Sequence, residues 1–136
     1  NNNTTGSQNT AFGYEAGLTI NSGAGVVAVG YQALRNAGIG QYNVAIGRQA
    51  AQATLGANNN VAIGACTLYG NTFGARNIGI GQNSLVTNTI GCDNVALGGY
   101  GLYSNITGNS NFAVGFLSLY ANTSGSNNSI TVNSGN

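Results

Sequence analysis

The stretch from residue 43 to residue 64 reads NVAIGRQAAQATLGANNNVAIG, and it holds two identical copies of a five-residue unit. The two copies begin at Asn43 and Asn60, 17 residues apart. Related units begin at positions 9, 26, 77, 94, 111 and 128, so this spacing is kept along the chain without insertion or deletion. A fixed period of this length is typical of stacked repeats in which each repeat is one supersecondary unit. The 136-residue chain therefore reads as one repeat domain, residues 1–136.

The apolar residues of each unit are two positions apart, as Val44 and Ile46 are, which is the period of a β-strand. Seventeen residues are also too few for a pair of helices. The pattern predicts an all-β fold, a parallel β-solenoid (β-roll) of eight 17-residue coils. We expect one strand at the five-residue unit and a second, shorter strand or extended segment around a column of Leu residues. We expect turns at two columns of Gly, where a positive φ is easily reached. The Leu column is Leu34, Leu68, Leu85, Leu102 and Leu119.

The two faces of the predicted strand differ in size. One face carries Val, Ile, Leu or Phe at its two positions, and these ladders are expected to be buried and to supply the main stabilising term, at roughly 1.5–3 kcal/mol per buried side chain. The other face is small throughout. Because only Ala or Gly fits where two backbones approach closely, we predict that this face contacts a second copy of the chain. Its residues are Ala11, Ala28, Ala45, Ala62, Ala96 and Ala113.

The first residue of the unit is usually Asn. Residues 17 apart lie about 4.8 Å from each other in stacked coils, so the Asn side chains can hydrogen-bond to their copies in the coils above and below. We predict a structural amide ladder at Asn9, Asn43, Asn60, Asn77, Asn94 and Asn111.

The composition argues against an enzyme. The chain has three Arg, two acids and no His, which leaves almost nothing for acid–base catalysis, a cofactor or a metal. Glu15 and Asp93 are too far apart along a rod to serve as a hydrolytic pair, which needs about 5–10 Å. Cys66 and Cys92 fall in different columns and read as small hydrophobic residues, buried or half-buried. A net charge of +1 gives no footprint for nucleic acid, and no apolar run is long enough to insert into a membrane.

Tyrosines recur at two places in the repeat, after the closing Gly and after the Leu column. They fit either an amphipathic cover over the rod or aromatic platforms that stack on the sugar rings of a host surface glycan. The candidate glycan contacts are Tyr14, Tyr31, Tyr69, Tyr103 and Tyr120.

The repeat, as it stands from Asn9 to Gly17, from Val29 to Leu34 and from Asn94 to Gly108, resembles repeats of bacteriophage tail fibres. It is also similar to the Ser-Val-Ala-Ile-Gly repeats in the head domains of trimeric autotransporter adhesins. Those heads are trimers of left-handed parallel β-rolls whose strands line a common axis, and they usually have 14 residues per coil where this chain has 17. The resemblance covers the whole chain and implies a trimeric, extracellular, fibrous role in attachment, with no catalytic residue.

The sequence thus predicts a structural shaft segment, cut from a longer fibre, of a phage tail fibre or a comparable surface appendage. Its expected partners are two further copies of itself, neighbouring fibre domains and a host surface glycan, and its expected location is a virion tail fibre or a cell surface. The alternative is a bacterial cell-surface adhesin, or a repeat domain of an extracellular filament, that binds glycans or matrix. A third reading, an ice-binding solenoid, rests on a column with Thr4, Thr72, Thr89 and Thr123, which other residues interrupt.

Overall fold

The computed structural model describes residues 5–132, so the two ends of the predicted domain, residues 1–4 and 133–136, lie outside it. Within this range the chain is all-β without a helix, and each strand covers the three middle residues of a five-residue unit. The strands are β1 (Thr10–Phe12), β2 (Val27–Val29), β3 (Val44–Ile46), β4 (Val61–Ile63), β5 (Ile78–Ile80), β6 (Val95–Leu97), β7 (Phe112–Val114) and β8 (Ser129–Thr131).

The eight strands form one parallel sheet in chain order. Each strand pairs with the next at a register of one repeat, as Ala28 does with Ala45 and Ala45 does with Ala62. Every crossover is therefore one coil of the same length. The prediction of a parallel β-solenoid with a 17-residue repeat is confirmed.

The segment around the Leu column is not a second strand. In the third coil, φ is 136° at Gly47, 57° at Gln49 and 49° at Ala51, so every second residue after the strand has a positive φ. This alternation turns the chain instead of extending it. The only pairing in residues 5–132 outside the named strands is an isolated bridge between Ile20 and Gly38, and the predicted second strand is wrong.

The turn segment is nevertheless held by hydrogen bonds between coils. The backbone N–H of Gln49 donates to the carbonyl of Tyr31 at 2.8 Å, and that of Ala51 donates to Thr67 at 2.8 Å. A non-Gly residue in the left-handed region costs roughly 1–2 kcal/mol. Because the same bonds recur in coil after coil, the stacked neighbours hold this strained conformation in place.

The second Gly column, before each unit, was expected to supply positive φ, and that expectation is wrong too. Its members Gly40 and Gly74 do not have φ in the left-handed region. They are Gly because the coils approach too closely for a side chain. A Cβ on Gly40 would lie 2.5 Å from the carbonyl oxygen of Ala57 and 2.9 Å from Nδ2 of Asn43.

The two faces of the strand are the reverse of what the sequence suggested. Ala28, Ala45, Ala62, Ala96 and Ala113 are 0 % exposed within the single chain, so they line the interior of the coil and are not free to contact a second copy. Ala11, in the first coil described, is exposed. The large apolar residues of the strands project outward and are half-buried or exposed. The predicted subunit contact at the Ala column is therefore wrong.

The physical reason lies in how little room a 17-residue coil encloses. The Leu column enters this interior from the wall opposite the strand, and Leu34, Leu68, Leu85 and Leu102 are fully buried there. The space that remains facing Leu accepts only a small residue. At Gly79 a Cβ would lie 3.6 Å from Cγ of Leu68 and 2.6 Å from Cγ2 of Thr67. The core is thus filled by Leu against Ala.

Candidate functional site

An amide ladder runs along the interior beside the Ala column. In its longest part, Oδ1 of Asn43 accepts the backbone N–H of Asn60 at 2.9 Å, and Oδ1 of Asn60 accepts that of Asn77 at 2.9 Å. The Nδ2 group of Asn60 donates to Oδ1 of Asn43 at 3.2 Å and to the carbonyl of Gly74 at 2.9 Å. The same pattern continues to Asn128. The side chains from Asn43 to Asn111 are fully buried, and no buried side-chain N or O atom in residues 5–132 lacks a partner.

The ladder has one break. Val26 takes the Asn position in the second coil and separates Asn9 from Asn43. Asn9 keeps half of the pattern, because its Oδ1 accepts the N–H of Val26 at 2.9 Å and its Nδ2 donates to Gly23 at 2.8 Å. The ladder of six predicted Asn residues is therefore one isolated member followed by a continuous run.

A second amide ladder occupies the next corner of the interior in the later coils. Nδ2 of Asn88 donates to Oδ1 of Asn71 at 2.9 Å, and Asn105 and Asn122 repeat this contact at 2.8 and 2.9 Å. Each Nδ2 also donates to the carbonyl of the Gly three residues later, as Asn88 does to Gly91 at 2.9 Å. The sequence-based prediction of an amide ladder covered only the first Asn column and did not include this one. The 17-residue recurrence was the signal that could have identified it.

The outward side of the sheet is an apolar surface that extends along seven strands, and we call it the outer strand face. It consists of two side-chain ladders from β1 to β7. Ile46 and Ile80 are 40 % and 39 % exposed, and Phe12 is 76 % exposed. No charged residue interrupts it. Its members are Thr10, Phe12, Val27, Val29, Val44, Ile46, Val61, Ile63, Ile78, Ile80, Val95, Leu97, Phe112 and Val114.

The five tyrosines singled out from the sequence fall into two stacked pairs and one separate residue. The rings of Tyr14 and Tyr31 are stacked with centroids 5.4 Å apart and an interplanar angle of 11°. Those of Tyr103 and Tyr120 are stacked at 5.0 Å and 14°. Tyr69 lies in the same column as Tyr103, two coils earlier, and is exposed. Four of the five rings therefore stack on the equivalent Tyr ring of the adjacent coil in the same chain, which stabilises the stacked coils.

Four of the five charged residues form two ion pairs between coils, and Arg48 instead donates to Gln49. Oε2 of Glu15 accepts from Nε2 of Gln32 at 2.8 Å and from Nε of Arg35 at 2.7 Å. These hydrogen bonds, first that of Gln32 and then that of Arg35, lower the pKa of Glu15. Asp93 accepts a bidentate pair from Arg76 at 2.7 and 2.8 Å, which lowers the pKa of Asp93.

No cluster of chemically reactive groups forms in the described chain. Glu15 and Asp93 each pair with an Arg, and residues 5–132 bring together no group of three His, Cys, Asp or Glu side chains. Cys66 and Cys92 are free and half-buried. No pocket opens on the surface of this range, and none of its segments is a helix that could cross a bilayer.

No protein-family model, no curated protein sequence and no solved structure matches this chain. The resemblance to fibre repeats therefore rests on the sequence pattern, and the solenoid fold rests on the parallel pairing of the eight strands. Among the surfaces described, the outer strand face is the candidate interaction site.

Proposed function

We propose that this chain is a shaft segment of an extracellular attachment fibre, a phage tail fibre or a comparable surface appendage, and that three copies associate through the outer strand face. The segment holds a receptor-binding part away from the particle or cell by being stiff and long. The trimer and the extracellular setting follow from the likeness to tail-fibre and autotransporter repeats.

The observation that carries this proposal is the outer strand face. It extends over seven consecutive strands, is apolar at all but one position and carries no charge. Soluble monomers rarely expose a continuous apolar surface of this extent. A partner with the same repeat meets every coil in the same way, and another copy of this chain is such a partner.

The interior supports a mechanical role. Two buried amide ladders and the hydrogen bonds of the turn segments connect each coil to its neighbours, so local opening of one coil breaks bonds on both sides. The described part of the chain contains no long loop between coils. A rod of this kind resists bending and proteolysis, as a spacer must.

The test is the solution mass of the chain by light scattering on a sizing column. A trimer has three times the chain mass of 13.6 kDa. Ile46→Asp together with Ile80→Asp places charges in the middle of the outer strand face and should give monomers. Leu117→Asp is the matched control, because Leu117 is 45 % exposed but lies off this face, and it should leave the mass unchanged. A folded wild-type monomer at micromolar concentration would overturn the proposal.

A second candidate function is a bacterial adhesin or filament domain that binds glycans or matrix. The exposed pair of Tyr14 and Tyr31 favours it, because Tyr rings can stack on sugar rings. Screening the wild-type chain and the Tyr14→Ala/Tyr31→Ala variant against a glycan array separates the two functions. Glycan binding that is lost in the variant supports the adhesin function. An absence of binding by the folded wild-type chain supports the shaft function.

A further inference from the structure

A second exposed column of residues, apolar in its central coils, runs along the rod at the corner that precedes the second Gly column, and we call it the corner column. Each of six successive coils contributes one residue to it, and none of these residues is charged. Ile39, Phe73 and Ile90 are 63 %, 62 % and 53 % exposed. Exposed polar residues such as Asn58 and Asn59 separate it from the outer strand face. In chain order its members are Ser22, Ile39, Gly56, Phe73, Ile90 and Thr107.

The column keeps a regular spacing. The N–H of Ile39 donates to the carbonyl of the residue 16 positions later at 3.1 Å, and Gly56, Phe73 and Ile90 make the same contact at 3.3, 3.0 and 3.3 Å. These backbone positions are thus equivalent in successive coils. Their side chains therefore repeat about every 4.8 Å along the rod.

The order of side chains in the corner column is self-complementary. A two-fold axis perpendicular to the rod, placed between Gly56 and Phe73, sets Phe73 opposite Gly56 of a second copy. The same axis sets Ile39 opposite Ile90 and Ser22 opposite Thr107. Each opposed pair then combines large with small, apolar with apolar, or hydroxyl with hydroxyl, which is the requirement of an isologous contact.

Gly56 is the notch in this arrangement. The position of a Cβ on Gly56 lies 3.5 Å from two ring carbons of Phe73 and 3.9 Å from Cγ1 of Ile39, so these two side chains stand on either side of it. A Phe73 ring from a second copy would lie over the notch, beside the Phe73 ring of the first copy. Paired aromatic rings are favourable in such a position.

We propose that the corner column is a contact between two antiparallel copies of this chain. It is separate from the outer strand face and goes beyond the proposed function, because it joins rods laterally. The contact spans about six coils at 4.8 Å and is one to two residues wide, which gives roughly 300 Å² per chain, well below the ~800 Å² of a stable dimer. It is therefore weak for one pair of chains and becomes effective where many rods are held side by side.

The first test exchanges the two central residues. Sedimentation velocity over a concentration series should show the wild-type particle associating, with a doubling of its mass as the first step. Phe73→Gly should raise the dissociation constant at least about tenfold, as truncation of an aromatic hot spot does. Gly56→Phe combined with Phe73→Gly restores a large residue opposite a small one and should recover the wild-type constant. Gly56 accepts a side chain because its φ lies outside the left-handed region and its Cβ contacts are ordinary.

The outcomes separate this contact from the proposed trimer. Ile46→Asp with Ile80→Asp should leave the concentration-dependent doubling in place, whereas Phe73→Gly should leave the smaller particle unchanged. Circular dichroism establishes that each variant is folded. The proposal fails if the wild type shows no doubling at millimolar concentration, if Phe73→Gly changes nothing, or if the folded double exchange does not recover the association.

The second test determines whether the two associated chains run antiparallel or parallel. In a background with Cys66→Asn and Cys92→Ser, chains carrying Ser22→Cys are mixed with chains carrying Thr107→Cys and treated with a short bifunctional thiol reagent. Antiparallel pairing should cross-link the two kinds of chain to each other, and neither kind alone should cross-link. Cross-linking within one kind alone would indicate parallel pairing and overturn the proposal.

Discussion

Asn60→Ala and Asn58→Ala form a pair of substitutions that isolates the effect of burial on the coil-to-coil hydrogen bonds. Each removes an Oδ1 atom that accepts a backbone N–H from a neighbouring coil. Oδ1 of Asn60 accepts from Asn77 at 2.9 Å in the buried ladder, and Oδ1 of Asn58 accepts from Gln41 at 2.7 Å on the exposed side. The two bonds are alike in chemistry and length.

The expected costs differ because water reaches only one site. After Asn60→Ala the N–H of Asn77 has no acceptor in the interior, and an orphaned buried donor costs about 1–3 kcal/mol. The lost contacts of Nδ2 with Asn43 and Gly74 and the small cavity bring the expected loss to roughly 3 kcal/mol. After Asn58→Ala water replaces the acceptor, and the loss should stay near 0.5 kcal/mol, as roughly expected for an exposed site.

The assay is urea unfolding at pH 7 and one fixed protein concentration, so that any self-association affects all samples equally. Amide hydrogen exchange at Asn77 provides a local readout, and its protection should fall in the Asn60→Ala chain. Equal destabilisation by the two substitutions, or a loss below about 1 kcal/mol for Asn60→Ala, would refute the inference that burial makes the hydrogen bonds of the ladder costly to break.

Three further predictions concern the core, the turns and the ion pair. Gly79→Ala should destabilise the chain by about 1–3 kcal/mol through overpacking against Thr67, and the added Thr67→Ala should recover most of this in urea unfolding. Ser110 has φ 55°, and Gly adopts this left-handed region freely, so Ser110→Gly should raise the free energy of unfolding by up to about 1 kcal/mol. The melting temperature should rise accordingly, and a lower one would contradict the prediction. Arg76→Ala should raise the pKa of Asp93 in an NMR titration, because the Arg76 hydrogen bonds lower it. Since that pKa is lowered by folding, the stabilisation is present at neutral pH and lost as the pH falls through it, and a pKa unchanged by the substitution would exclude the pairing in solution.

The sequence was sufficient for the repeat because each coil makes the same contacts as the next. The interval from Asn43 to Asn60 determines the register, and the two-residue spacing of Val44 and Ile46 determines that the unit is a strand. The amide ladder was equally predictable, because identical side chains in stacked coils must meet their own copies. These conclusions need only the period and the strand spacing.

The turn segments could not be predicted in this way, because left-handed backbone at ordinary residues leaves no residue-type signal. Leu34 has φ 47° and Gln32 has φ 55°, although neither residue type favours that region. Hydrogen bonds to the neighbouring coils hold them there, so the conformation is a property of the stack. The second Gly column was mistaken for a positive-φ position because the sequence does not distinguish a Gly required by φ from a Gly required by the close approach of two coils.

The period and spacing of the residues were enough to predict a parallel solenoid with a 17-residue coil, eight strands and an Asn ladder. Which side of each strand forms the interior depends on how the folded coil closes. Side chains alternate along a strand, so Ala45 and Ile46 must point to opposite sides, but the alternation does not show which of the two sides faces the interior of the coil. The segment opposite the strand determines the interior side, because Leu34 and its equivalents project from it into the coil and leave room for no residue larger than Ala. The large apolar side chains are thereby left on the surface, where a partner can meet them.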